Sequence, residues 1–273
     1  SHSLAYAYDS LYCAYLKAHY PLEYYSVTLN LYEKDSARTK KLINELSYFG
    51  IKIEKAMFRH SKGTYFFNKE TNTIYKGVSS IKGLNEEVGE FLYGLKDKDI
   101  SFIDLISMKD NPMNKTHFET LIKLDFFREF GKQQYLLELY SLYKKYGSIS
   151  QLKKDNLDFS ISIAKECSGK ETAKLFKEID TDKLIKLLSN HINNIDLPKA
   201  EQISFSMEYT GAFDLTDDLG KLTYVVSVFN EFKDYRLDVI NVRTGNKYRF
   251  RAKKGVIPKL KENSIIQIEE LEK

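Results

Sequence analysis

The sequence predicts a mainly α-helical chain with a small β part gathered toward its C-terminal end. Three observations carry this expectation. Apolar residues recur at three- and four-residue spacing through most of the stretch up to residue 200. A polar run, Asn68-Lys69-Glu70-Thr71-Asn72, separates two short β-rich segments and predicts one hairpin within the helices. After residue 200 the pattern changes to short alternating runs rich in Val, Ile, Tyr and Phe.

In chain order, Leu4, Tyr8, Leu11, Tyr12, Tyr15 and Leu16 predict a buried helix over 3–19. Pro21 stops it and opens the next, Leu22 to Tyr32. Asp35 or Ser36 caps a third, Ala37 to Phe49, which Gly50 ends. Ile51-Lys52-Ile53 alternates like a strand, and Thr64–Phe67 with Thr73–Tyr75 makes the hairpin. Short helices follow: Glu86 to Leu95, Phe102 to Met108, Lys115 to Lys123 capped by Asn114, and Asp125 to Glu129. Gln133–Tyr146, Ser160–Phe176 and Thr181–Ile192 are amphipathic, so 132–200 reads as an all-helical connector without a chemical motif.

Four strands are expected at the end: Lys221–Phe229, Tyr235–Val242, Lys247–Lys253 and Ser264–Leu271, with Thr244-Gly245-Asn246 as a tight turn. Glu208–Leu215, around Gly211, supplies a fifth, and five short strands suit a small OB-like barrel.

Composition bounds the function without naming it. At 273 residues the chain is long enough for two compact units or several small ones. A net charge of +4 permits nucleic acid but does not argue for it; only a local cluster would. Cys13 and Cys167 are far apart and lack a partner motif, which argues against a disulfide framework or a zinc site. His60, His117 and His191 share no ligand spacing, and His19 before Tyr20-Pro21 reads as a structural hydrogen-bonder. Lys17 and His19 interrupt the apolar start, so no signal peptide is read, and no membrane partner is expected. The expectation is a cytoplasmic protein.

Three stretches carry a resemblance. The first is Ser1-His2-Ser3-Leu4-Ala5-Tyr6-Ala7-Tyr8, continuing to Tyr15-Leu16-Lys17-Ala18-His19-Tyr20-Pro21-Leu22-Glu23-Tyr24. The second is Gly77-Val78-Ser79-Ser80-Ile81-Lys82-Gly83-Leu84-Asn85, after the hairpin around Tyr65-Phe66-Phe67, with Phe126-Phe127-Arg128-Glu129-Phe130-Gly131 ending a second unit. The third is Glu208-Tyr209-Thr210-Gly211. Together they resemble the C-family bacterial-type replicative polymerases, the DNA polymerase III alpha subunits. The resemblance implies the end of a fingers domain over 1–76, a tandem helix-hairpin-helix module over 77–131, a connector over 132–200 and an OB-like domain over 201–273.

What the resemblance implies is DNA replication by nucleotidyl transfer. The palm aspartates and their Mg²⁺ belong to a part of such enzymes upstream of the fingers, so no cofactor and no catalytic residue is assigned to this chain. Asp217-Asp218 reads as a solvated turn rather than a replacement. On this reading the chain is an expression fragment or a split-gene product that does not polymerise alone. Expected partners are duplex DNA, single-stranded template and the palm-containing remainder of the polymerase. A sliding clamp is a further candidate, although no Gln-x-x-Leu/Met-Phe motif is present.

The residues assigned to these roles are few. His2 and Ser3 are candidate neighbours of the incoming nucleotide, or simply a frayed end or a tag remnant. Ser79, Ser80, Lys82, Gly83, Leu84 and Asn85 form the candidate duplex site: a tight turn before a helix points N–H groups at one phosphate, and Lys82 adds charge. Asn85 replaces the second hairpin glycine of the family, and a left-handed Asn preserves the turn. In the second unit Asp125 replaces a glycine, where a carboxylate opposes phosphate, so that unit is expected to be mainly structural. In Lys247-Tyr248-Arg249-Phe250-Arg251-Ala252-Lys253 every second residue is cationic, so Lys247, Arg249, Arg251 and Lys253 share one strand face. With Arg243 and Lys254 they form the candidate single-strand site, and Phe232 or Tyr235 could serve as its stacking platform. The alternative for this strand is a solvated edge. Two other readings of the chain stay open: a stand-alone DNA-binding accessory protein, and a chain that only docks partners.

Overall fold

The computed structural model describes residues 2–211, 223–231, 235–241, 247–252 and 264–267. It is mainly α with small sheets, as expected. Contacts divide it into two compact units, one of residues 1–98, 112–120 and 198–273, the other of 99–111 and 121–197.

The first unit opens with α1 (His2–His19) and α2 (Pro21–Leu31), whose first residue is the expected proline. Asp35 caps α3 (Ser36–Leu46) by accepting from the Arg38 N–H. Gly50, left-handed at φ 64°, ends the short 3-10 turn that follows. β1 (Lys52–Glu54) lies parallel to β3 (Thr73–Tyr75), and β2 (Phe66–Asn68) pairs antiparallel with β3 in the hairpin. Leu22, Tyr25, Leu29, Leu46, Ile51, Tyr65 and Ile74 form one core from α2, α3 and this sheet. α4 (Glu86–Tyr93) follows, and the Arg59 guanidinium donates to the Leu95, Lys96 and Lys98 carbonyls of the turn beyond it.

α1 corrects the expectation of a buried helix. Its apolar residues stand in solvent: Leu4 is 63% exposed, Leu11 62% and Tyr12 63%. Helical spacing reports that a face is apolar, not that something covers it.

The helices α5 (Phe102–Ser107), α6 (Lys115–Lys123) and α7 (Gln133–Tyr146) lie close to their expected bounds. The all-helical connector does not survive. β4 (Gln151–Lys153), α8 (Ile161–Glu166), β5 (Ser168–Glu171) and β6 (Leu175–Ile179) precede α9 (Thr181–Ser189). The three strands form an antiparallel sheet in the order β4-β6-β5. The expected Ser160–Phe176 helix thus stops after six residues and continues as a strand hairpin. Tyr146, Leu152, Ala164, Cys167, Phe176, Leu184 and Leu188 join these elements in one core.

A second correction concerns Glu208–Leu215. Its described part ends α10 (Lys199–Thr210), a helix with Gln202, Ile203 and Ser206 buried at helical spacing. Gly211, at φ 66°, is its left-handed cap. The other four strands are present: β7 (Thr223–Glu231), β8 (Tyr235–Asn241), β9 (Lys247–Ala252) and β10 (Ile265–Gln267). They form an antiparallel sheet in the order β10-β7-β8-β9, open rather than closed into a barrel among the described residues. Among those residues no helix is long and apolar enough to cross a membrane.

Candidate nucleic-acid interface

The first hairpin is a 3-10 turn, Val78–Ser80, followed by Ile81-Lys82-Gly83-Leu84 and α4. Gly83 holds φ 86°, which an L side chain rarely adopts, and a Cβ added there would meet open space. Asn85 is not left-handed, as its place in the motif suggested. It is extended (φ −132°, ψ 172°), and its side chain caps α4 by accepting from the Val88 N–H. The asparagine therefore replaces the motif's flexible glycine with a cap.

Most of the turn's N–H groups already have partners. Ser79 donates to Gly63, Ser80 to Gly77, Leu84 to Ile81, and Lys82 to the Tyr209 carbonyl at 2.8 Å. The Ser79 hydroxyl donates to Glu33 and that of Ser80 to the Gly77 carbonyl. The N–H groups of Ser79, Ser80, Lys82 and Leu84 are therefore not among those expected to point at a phosphate. The hairpin's cationic group is the exposed Lys82 side chain, while Glu86 and Glu87 occupy the first turn of α4. The Lys82–Tyr209 bond joins two of the three stretches that carry the resemblance.

Three glycines fix the hairpin to its surroundings. A Cβ on Gly77 would lie 2.3 Å from the Thr64 carbonyl carbon, one on Gly63 2.4 Å from Glu86 Cγ, and one on Gly89 2.5 Å from Gly63 Cα. Glu90 completes the joint by accepting from the Gly63 N–H. Beside it stands a column of rings that sequence reading missed. His60 stacks on Tyr75 and Tyr75 on Phe66, while the Lys62 ammonium lies over both Phe66 and Tyr93. Lys96 lies over Tyr93 as well. The signal was the interleaving of His60, Lys62, Tyr65 and Phe66, which composition alone does not separate from core.

The second hairpin follows α6. Asp125 takes φ 64°; its N–H donates to Ile122 and that of Phe126 donates to Leu121. This is a Schellman cap with Asp125 in the place usually held by Gly. Its carboxylate meets Arg128 Nε at 2.6 Å rather than facing solvent. Arg128 also reaches Asp196 at 2.7 Å. Burial works against the guanidinium charge, but the two carboxylates hold it more firmly than in water. The carboxylate at this turn thus has an internal use, consistent with a structural unit.

In the C-terminal sheet Arg249 donates from Nε and Nη2 to the two oxygens of Asp238, its partner in β8. That bond holds the Asp238 carboxyl below its ordinary range. The expected row of uncompensated cations is therefore broken at Arg249. Lys247 and Arg251 remain exposed on the same face, and Arg251 lies opposite the exposed Arg236. Tyr248, which alternates with the cations along the strand, is 43% exposed. Arg243, Lys253, Lys254, Phe232 and Asp217-Asp218 lie outside the described residues, as does Ser1; Ser3 is exposed at the start of α1.

Elsewhere in the first unit Glu45 ties three helices together. One of its oxygens accepts from Tyr25 and from Lys17, each at 2.6 Å. The Lys17 bond, then the Tyr25 bond, lowers the Glu45 carboxyl, while burial and then Glu45 push the Tyr25 phenol up to about 12. Lys17 belongs to the first of the resembling stretches, and its role here is to brace α1 against α3.

No family model matches the chain. Among curated proteins it is similar to the DNA polymerase III subunit alpha of Aquifex aeolicus, 33% identical over 138 residues, which is 49% of this chain and 12% of that protein. It is similar to that of Ureaplasma parvum, 29% identical over 154 residues, or 54% of this chain and 16% of that protein. That of Mycoplasma genitalium is 33% identical over 86 residues, 32% of this chain and 10% of that protein. The chain thus matches between a tenth and a sixth of these relatives' length, and the expected resemblance to the alpha subunit is borne out.

Proposed function

We propose that this chain is the DNA-contacting, C-terminal portion of a bacterial-type replicative DNA polymerase, acting in DNA replication with a palm domain that supplies the metal-dependent nucleotidyl transfer. The observation that carries the reading is the likeness of about half the chain to DNA polymerase III alpha subunits. The bond from Lys82 to Tyr209 adds to it, since it joins two separate resembling stretches at one point.

Within this reading residues 77–131 serve as the helix-hairpin-helix module. Lys82 supplies a sequence-independent phosphate contact, and Gly83 allows the backbone to approach. The unit around Asp125 and Arg128 is mainly structural, its carboxylate held by Arg128. The C-terminal sheet plays the part of an OB-like domain, with Lys247 and Arg251 along the path of unpaired template. His2 and Ser3 lie toward the incoming nucleotide. The apolar face of α1, an exposed run of Leu and Tyr side chains, receives the palm-containing remainder of the polymerase. A sliding clamp is the partner expected beyond that.

Two assays on the purified chain test the reading. At low salt it retards a primer–template duplex, and with Mg²⁺ and all four nucleotides it extends nothing. Extension that survives a control for contaminating polymerase contradicts the assignment of catalysis to another domain. Failure to bind any DNA at low salt contradicts the DNA-contacting role and favours a chain that only docks partners.

A further inference from the structure

The stretch expected to be a featureless connector has an ordered topology of its own. Over residues 133–189 the order is helix α7, strand β4, a single 3-10 turn at Lys154–Asn156, helix α8, the β5–β6 hairpin, then helix α9. The sheet order places the last strand between the other two. The hairpin β5–β6 thus folds back so that β6 pairs with β4 as well as β5. One core of Leu152, Phe176, Ala164, Leu184 and their neighbours holds it together.

The register settles which sheet face is outside. Leu152 pairs with Phe176, and both are buried, so that row faces the core. The adjacent row, Gln151–Lys177–Lys170, and Lys153 beyond it therefore face outward, where all four are exposed. Lys174 stands exposed at the hairpin tip. Around it the Thr172 N–H donates to the Leu175 carbonyl at 2.8 Å, and the Leu175 N–H donates to the Thr172 hydroxyl at 3.1 Å. Nearby acids are largely taken: Glu171 meets Lys154 and Lys165, Glu166 meets Lys183, and Asp158 meets Lys145. Glu178 lies over Gly169, its carboxylate 2.8 Å from a Cβ built there. Among the described residues Lys153, Lys170, Lys174 and Lys177 have no ion pair.

Lys170 and Lys177 are directly opposite one another across β5 and β6. Like charges in that position cost stability, and a bound anion relieves the cost. The outward row carries no aromatic ring, whereas single strands are gripped largely by base stacking. We infer that residues 133–189 form a separate DNA-binding unit whose Lys153, Lys170, Lys174 and Lys177 surface takes the phosphate backbone of a duplex without reading its sequence. The choice of DNA as the polyanion rests on the function proposed above; the lysine surface does not.

The test is duplex binding by the whole 273-residue chain as a function of salt. Lys170→Glu with Lys177→Glu flattens the log–log salt dependence by about two units. Lys174→Glu, outside the strand pairing, flattens it by about one at unchanged Tm. Lys177→Glu alone raises Tm, because it sets opposite charges face to face, while weakening duplex binding. The losses add to that of Lys82→Glu. If Lys82→Glu weakens binding but the double variant and Lys174→Glu leave the slope unchanged, the inference is overturned and the proposed function stands. A parent chain that binds no duplex overturns both. A larger loss for a single strand of equal length also overturns it, and assigns the surface to unpaired DNA.

Discussion

Gly63 and Gly89 meet backbone to backbone: a Cβ on Gly89 would lie 2.5 Å from the Gly63 Cα and 2.7 Å from its nitrogen. This contact seats α4, and with it the Gly83 hairpin, on the segment that leads into the sheet of the first unit. A helical Gly→Ala change ordinarily gains about 1 kcal/mol. Here overpacking against rigid main chain, worth up to about 3 kcal/mol, outweighs it. Gly89→Ala is therefore expected to lower stability by roughly 2 kcal/mol. A denaturant titration with a lower midpoint and an unchanged slope checks this; a stabilised variant means that the contact yields.

Glu45 gives the first unit a pH dependence. Its folded carboxyl lies below its unfolded value of about 4.3, because Lys17 and Tyr25 donate to it. A depressed carboxylate contributes stability that is present above the unfolded value and lost as pH falls through the folded one. The site is partly open to water, so the contribution is screened to about 1 kcal/mol or less. Glu45→Gln should therefore be less stable than the parent near neutrality, and the gap should close under acid. A gap that is constant with pH shows that the ion pair contributes nothing.

Asp125 separates backbone from charge. Asp125→Ala pays the left-handed backbone cost of about 1 kcal/mol and also loses the Arg128 pair. Asp125→Gly loses only the pair. The glycine variant should therefore be the more stable of the two by about 1 kcal/mol. Its duplex affinity should match the parent's, since the carboxylate points inward. A clear gain in affinity would return Asp125 to the DNA face.

In the C-terminal sheet the informative change is Lys247→Glu with Arg251→Glu. It leaves the Arg249–Asp238 pair intact, removes the other two described cations of that strand and sets a carboxylate opposite Arg236 instead of a second guanidinium. Single-strand affinity at moderate salt should fall sharply, with a melting temperature no lower than the parent's. Arg249→Glu should instead lower the melting temperature, because it sets a carboxylate against Asp238. Equal single-strand binding by the double variant would make the strand a solvated edge.

Long, periodic elements were legible. α2, α3, α6 and α7 lie close to where spacing, Pro21, Asp35 and Asn114 place them, and the hairpin sits around its polar turn. β4, β5 and β6 were not legible, since strands of three to five residues are too short for alternation to stand out from helical spacing. Leu152 and Phe176 give one buried residue each. The end of α10 reads as a strand because Tyr209-Thr210 are strand-favouring, while Gln202 and Ser206, which set its buried side, are polar. The left-handed turn at Gly83, ahead of α4, stands where the sequence places a tight turn. The Asn85 cap and the Asp238 partner of Arg249 depend on dihedrals and cross-strand register, which no local pattern encodes.

Lys82 at the first hairpin is the proposed phosphate contact, and duplex binding by Lys82→Glu and parent across a salt series tests it most directly. The expected result is uniform weakening on every duplex sequence, with the log–log salt slope flatter by about one unit and the melting temperature unchanged. An unchanged slope and affinity would remove Lys82 from the DNA surface and contradict the assignment of this hairpin to the duplex.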